Sequence, residues 1–416
     1  MKMLNVFLAC TSENRILIGQ LAKDNKNRIY FEYDGDFITR NINISPFKLD
    51  FRTGLQSCDK AFLGNIHGVF NDSLPDGWGL LLMDRYFKKA GFDLREISHL
   101  ERLSFLGNRT IGALTYEPVM DVKYEGNLIV DLYKLSINSM DILKGKEKDI
   151  LPVMLKAGGS PGGARPKILV GYNGKELISG EAELPDGFEP WIIKFRSEKD
   201  FKDASKIEFV YMKMAELAGL IVPEVKLFQD NKNHYYFGCK RFDRNNNDRI
   251  HFHSFGNLIH ADFRVPSVDY EMLFKVCSKL THNFEAVKLC FKIMIFNILS
   301  CNRDDHVKNF GFLMSKDGAW SFSPSFDLMF SLGIGGEHSM TVAGEGKNPS
   351  IHEIDYITKI FQISEKDKKE IINSVRNAVN KFEKLSKALD ISTKEIELIK
   401  SYHKKIAKES GLIKLK

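Results

Sequence analysis

Asp304 and Asn309 lie in the polar run Asn302-Arg303-Asp304-Asp305-His306-Val307-Lys308-Asn309-Phe310, with D-x-x-x-x-N spacing. Phosphoryl transfer needs a carboxylate to orient the attacking hydroxyl and a nearby oxygen donor for magnesium, and this spacing supplies both from one turn. A second carboxylate should come from the strand or turn that follows. Ser323-Pro324-Ser325-Phe326-Asp327-Leu328 offers Asp327. Any one of these residues could merely cap a turn, but the three together point to chemistry.

Two further features fit a phosphorylated ligand. Gly158-Gly159-Ser160-Pro161-Gly162-Gly163-Ala164-Arg165-Pro166-Lys167 runs into an apolar strand, and successive glycines let backbone N–H groups approach phosphate. The run matches neither G-x-x-x-x-G-K-[ST] nor G-x-G-x-x-G, so alone it is also a flexible turn. Trp191-Ile192-Ile193-Lys194-Phe195 places a lysine in an otherwise apolar strand, where its burial is costly unless an anion meets it. Phosphates and a helix carboxylate would do so, and Glu208 is the candidate carboxylate.

The elements that must position these residues read as β-rich first and helical last. Arg28 to Tyr33 alternates, with apolar Ile29, Phe31 and Tyr33. Phe70-Asn71-Asp72-Ser73-Leu74-Pro75-Asp76-Gly77-Trp78-Gly79 is a turn cluster leading into helical Leu80 to Phe87. Residues 118–150 turn polar and suggest a connection. Strands resume at Lys167 to Gly171 and Trp191 to Phe195, interrupted by a helix with Ile207, Val210, Met214 and Leu217 on one face. From about 268 the chain is mainly helical, with a buried helix over Leu289 to Leu299 and two late helices with capping-box starts at Ser364 and Ser392. The expected divisions are 1–118, a connection over 119–150, a nucleotide-binding part over 151–255 and a helical lobe over 256–416.

The 416 residues, 43% hydrophobic and 27% charged, suit a globular protein of two or three packed units. Leu289 to Leu299 is too short and polar to cross a bilayer, and no cleavage signal follows the apolar N-terminus. Six scattered cysteines without a C-x-x-C pair argue for a reducing cytoplasm. The net charge of +6 is spread out, so direct binding to nucleic acid has no support. His251 and His253 alternate as a metal pair could, without a third ligand nearby. Cys239-Lys240-Arg241-Phe242-Asp243-Arg244 suits either a ligand mouth or an edge strand.

Taken in order, the 70–79 cluster, Gly162 to Lys167, Ile192-Ile193-Lys194, Asn302 to Asn309 and Pro324 to Asp327 make the chain resemble the HipA family of toxin kinases. The resemblance implies an α+β, two-lobed kinase-like fold with an N-terminal β-rich subdomain. It implies a serine/threonine-protein kinase using ATP and Mg2+, with Asp304 as catalytic base and Asn309 and Asp327 on magnesium. Lys194 would meet the ATP phosphates, with Gly162, Gly163, Ala164, Lys167, Glu208, His306 and Lys308 completing the nucleotide site. Ser160 corresponds to an autophosphorylated serine whose added charge would repel nucleotide. The implied partners are a helix-turn-helix, HipB-like antitoxin that binds operator DNA and a protein substrate such as an aminoacyl-tRNA synthetase. The alternatives are a non-catalytic nucleotide-binding co-repressor, which would not need the carboxylates, and a lipid or small-molecule kinase.

Overall fold

The computed structural model describes residues 3–11, 14–120, 130–145, 154, 162–180 and 183–412. Met3–Ala9 (β1), Arg15–Lys23 (β2), Ile29–Tyr33 (β3), Gln56–Ser57 (β4) and Leu114–Glu117 (β5) form an antiparallel sheet in the order β4-β3-β2-β1-β5. Strand alternation sends one face inward. In β3, Ile29, Phe31 and Tyr33 are buried while Glu32 is exposed. They pack on Phe37, from Gly35–Thr39 (α1), on Phe70, from Gly68–Asn71 (α2), on Phe87, from Gly77–Lys89 (α3), and on Phe105, from His99–Leu106 (α4). Helix α4 starts at a capping box in which Ser98 and Glu101 satisfy each other's backbone N–H groups.

The polar stretch expected to be a connection contains a helix, Leu132–Leu143 (α5). Its Leu132, Leu135 and Ile142 are buried against a second sheet. Ile137 and Leu143 stay exposed on its outer side, and the polar look of the segment comes mainly from the charged residues at 121–125 and 144–149.

The second sheet comprises Lys167–Tyr172 (β6), Leu177–Ser179 (β7), Glu189–Lys194 (β8), Val225–Gln229 (β9) and Tyr235–Lys240 (β10), ordered β7-β6-β8-β10-β9 and antiparallel throughout. Its register sets Lys167 directly opposite Lys194, on the same face. Against β10 packs Ala204–Leu217 (α6), which buries Ile207, Val210 and Met214. Leu217, expected on the same face, is 48% exposed, because the helix ends there and Gly219 turns the chain away in the left-handed region.

Beyond the hairpin of Arg244–Asn245 (β11) and Asp248–Arg249 (β12) comes a third sheet, His251–Ser254 (β13), Gly311–Met314 (β14) and Trp320–Phe322 (β15). Around it the chain is helical: Phe255–Ile259 (α7), Tyr270–Thr281 (α8), Phe284–Ser300 (α9), Ile351–Ile360 (α10), Glu365–Val379 (α11), Phe382–Lys387 (α12) and Thr393–Glu409 (α13). Helix α9 is buried along nearly its whole C-terminal half. The hydroxyls of Ser364 and Ser392 accept from the N–H of Asp367 and Glu395 and donate to the same residues' carboxylates, which is half of the expected capping box. The β14–β15 hairpin positions the polar motifs, since Asn309 lies just before β14 and Asp327 just after β15. The whole is α+β and two-lobed, with the first sheet as an additional β-rich unit.

Candidate active site

Helix α9 stops at Cys301, whose left-handed backbone (φ 56°) turns the chain sharply. The next residues are held from beneath. Asn302 Nδ2 donates to Asn297 Oδ1 at 2.9 Å, and Asn297 Nδ2 donates to the Tyr270 hydroxyl at 2.9 Å. That hydroxyl donates to Asp305 Oδ2 at 2.7 Å. Asp305, 1% exposed, also pairs with His338 Nδ1 at 2.8 Å and accepts from Ser339 N–H at 2.8 Å. With Asp305 anchored inward, its neighbour Asp304 is left open to the cleft. Asn309 Nδ2 donates to the Asp304 carbonyl at 2.7 Å, which leaves the Asn309 Oδ1 as that amide's available oxygen. Surrounding protein raises the pKa of Asp304, helped by Asp327 and Asp305 and opposed by His306 and Lys194. His306 Nδ1 accepts from Lys308 N–H at 3.2 Å and so begins a short helical turn over Val307–Asn309.

Opposite this loop, Lys194 Nζ lies 2.5 Å from Glu208 Oε1 and 2.6 Å from Asp327 Oδ1. The proposed strand–helix ion pair is therefore formed. Burial would discharge this lysine, but Asp327 and Glu208 outweigh it and hold its pKa above the ordinary value. Burial likewise pushes up Asp327, but Lys194, Lys167 and Arg165 keep it well below the usual carboxylate range. Glu208, whose side chain is fully buried, also takes Arg165 Nη1 at 2.7 Å, and Arg165 Nε reaches Asp200 at 3.2 Å. Lys167 is pushed down to about 8, first by burial and then by Lys194 beside it. Two lysines set side by side on one face repel, and the arrangement calls for anions.

One cavity is lined by Gly162, Gly163, Lys167, Lys194, His306, Lys308, Asn309 and Asp327. Leu169, Ile192, Met212, Phe237, Phe242 and Phe326 supply its apolar lining. Residues 239–243 line the cavity from the end of β10 onward, a strand flanked by β8 and β9 and so not an edge strand, and the rings of Phe242 and Phe326 lie 5.4 Å apart. Asp304 borders the cleft without lining this cavity, Glu208 lies behind Lys194, and Ala164 is exposed outside the lining. Ser160 lies outside the described residues.

Sequence reasoning assigned no role to two acids of the 70–79 cluster. Asp76 lines the cavity, with Oδ2 2.7 Å from Lys308 Nζ. Asp72 accepts from Ser254 N–H and Oγ at 2.8 and 2.6 Å and from Asn257 Nδ2 at 2.6 Å, and pairs with His253 Nδ1 at 2.6 Å. The signal available was two aspartates within a turn of few residues. The partners lie far along the chain.

The possible histidine metal pair is not one. His251 Nε2 meets the Ile44 carbonyl at 3.0 Å, and His253 is held between Asp72 and Ser45. Cys58, His67 and His260 do gather. Gly68 N–H, however, donates to His260 Nε2 at 3.0 Å, which puts the imidazole proton on Nδ1, facing Cys58 Sγ at 3.7 Å. That nitrogen is then a donor and not a cation ligand.

A model of the HipA-like C-terminal domain matches residues 159–382, and a model of the HipA N-terminal domain matches residues 11–117. The serine/threonine-protein kinase toxin HipA of Shewanella oneidensis is 24% identical over 343 residues, covering 76% of this chain and 73% of that protein. Y4dM of Sinorhizobium fredii, named as a kinase, is 23% identical over 207 residues, 46% of this chain and 50% of its own. In fold the chain matches Shewanella oneidensis HipA, solved with HipB and its operator DNA, with a TM-score of 0.69 at 17% identity over 98% of this chain and 96% of that one. With more than half of its length matched by one HipA domain model and its N-terminal part by the other, the chain belongs to the HipA family.

Proposed function

We propose that this chain is a serine/threonine-protein kinase that uses ATP and Mg2+ and serves as the toxin of a HipB-like toxin–antitoxin pair. The observation that carries the reading is the cavity itself, which brings paired lysines and the ionised Asp327 together with apolar and aromatic side chains. An adenine ring suits the apolar lining, and phosphates suit the lysines and the N–H groups of Gly162 and Gly163. Asp327 and Asn309 offer the hard oxygen donors that magnesium prefers. The ion, when bound, neutralises charge on the transferring phosphoryl group. Asp304 acts as the base: the acceptor hydroxyl oxygen bonds to the γ-phosphorus, the bond from that phosphorus to the bridging oxygen breaks, ADP departs, and the hydroxyl proton passes to Asp304. Glu208 fixes Lys194, while His306 and Lys308 flank the phosphates.

Family membership supports protein as the acceptor, with an aminoacyl-tRNA synthetase as the target class, and autophosphorylation at Ser160. The match to a HipA structure bearing HipB and operator DNA supports a helix-turn-helix antitoxin, with DNA reached through it. No helix among the described residues is long and apolar enough to cross a membrane. The deciding experiment incubates the protein and its Asp327→Ala variant with labelled ATP and Mg2+ in a cell lysate. Label should enter protein with the unaltered chain alone. Label in lipid or small molecules, with none in protein, would replace this reading with the other kinase class.

The depressed Lys167 adds a pH dependence. Its folded-state pKa of about 8 lies below the ordinary lysine value, so the ammonium is present below that pH and lost as pH rises through it. Affinity for Mg·ATP should therefore fall between about pH 7 and pH 9, as measured by calorimetric titration, and the fall should vanish in Lys167→Met. Identical pH profiles for the two proteins would exclude Lys167 from phosphate binding.

A further inference from the structure

The segment carrying Asp76 is in backbone contact with the glycine-rich loop. Trp78 N–H donates to the Gly163 carbonyl at 3.2 Å, and Trp78 Nε1 donates to the Lys167 carbonyl at 3.0 Å. Gly77 has a φ of +44°, and a Cβ there would fall 2.6 Å from the Gly163 oxygen, so only glycine permits this approach. Asp76 is thereby aimed into the site. Its Oδ1 accepts the Gly163 N–H, and its Oδ2 is 2.7 Å from Lys308 Nζ. The carboxylate is 18% exposed. Burial would raise its pKa, but Lys308, the Gly163 N–H and Lys167 hold it below the ordinary aspartate value.

A glycine-loop N–H and a lysine ammonium are the two kinds of donor that hold phosphate. Here both end on one carboxylate, which has the charge and the paired oxygens of a phosphate edge. We propose that Asp76, supplied by the region matched to the N-terminal domain, is a nucleotide-site residue that competes with the phosphate oxygens of ATP for Gly163 N–H and Lys308 Nζ and thereby sets nucleotide affinity. The inference rests on the nucleotide reading above. By linkage, anything that draws residues 76–78 away from the loop strengthens nucleotide binding, and nucleotide weakens that contact by the same factor.

The test titrates Mg·ATP into the full chain, Asp76→Asn and Asp327→Asn. Asparagine keeps an oxygen for the Gly163 N–H but presents no charge to Lys308. Asp76→Asn should bind roughly 5- to 150-fold more tightly, the usual range for coupled equilibria. Equal or weaker binding overturns competition and makes Asp76 a positioning residue. Weakened binding by Asp327→Asn checks the nucleotide reading separately, and if none of the three proteins binds ATP, that reading fails and the proposal goes with it. A second measurement needs no substitution. Hydrogen exchange in the peptide spanning residues 76–80 of the unaltered chain should quicken on adding Mg·ATP, and unchanged or slowed exchange would count against displacement of Asp76.

Discussion

Replacing Asp304 with alanine should lower the rate of phosphoryl transfer by roughly 10²- to 10⁴-fold, the contribution of a positioned general base. Nucleotide affinity should change little, because the carboxylate borders the cleft and does not line the cavity that holds Lys194, Lys167 and Asp327. The structure allows so clean a separation because the bonds that hold this loop run through Asn302, Asp305, Tyr270 and the Asp304 backbone carbonyl, not through the Asp304 carboxylate. Single-turnover measurements beside equilibrium ATP binding check both halves. Transfer within a few-fold of the unaltered protein would remove Asp304 from the chemistry. Asp327→Ala should fail in the opposite order, losing metal-bound nucleotide first.

Glu208→Ala should cost about 3–5 kcal/mol of folding stability, the usual penalty for stranding a buried charge. The carboxylate is fully buried and faces Lys194 on one oxygen and Arg165 on the other. Removing it leaves two cations with only Asp327 and Asp200 to meet them. Denaturant unfolding monitored by circular dichroism reads the loss directly. A shift below about 1 kcal/mol would mean that water replaces the carboxylate at little cost. The variant should also bind nucleotide poorly where it stays folded, since Lys194 would be drawn wholly to Asp327 and held away from phosphate.

What the sequence revealed was whatever is encoded locally. Asp304, Asn309 and Asp327 stood out by spacing, and Lys194 by its intrusion into an apolar strand, which the structure shows to be 8% exposed. Glu208 could be proposed because a helix follows that strand after a short loop. The partners supplied from distant segments could not be read. Arg165 was visible only as part of a glycine-rich run, yet it shares Glu208 with Lys194. Asp72 and Asp76 looked like ordinary turn formers, although one holds β13 and α7 and the other reaches Lys308. Asp305, adjacent to the proposed base and identical in type, proved to be the anchor of the loop, a distinction that only burial can make. Helix α5 escaped notice because its apolar residues lie between the charged stretches at 121–125 and 144–149, which dominate the composition of the segment. His251 and His253 suggested metal because alternation shows only that two side chains share a face. It does not show what each one touches.

Trp78 lies in the stretch matched to the N-terminal domain, yet its indole is 1% exposed inside the core of the second sheet, beside Ile168 and Trp191. Linear order along the gene and membership of a hydrophobic core therefore disagree at this residue. Severing the chain between residues 117 and 159, where the two domain matches leave off and resume, would divide that core between two fragments. The C-terminal fragment would carry a hole the size of an indole in its wall, and the N-terminal fragment would carry the tryptophan that fills it.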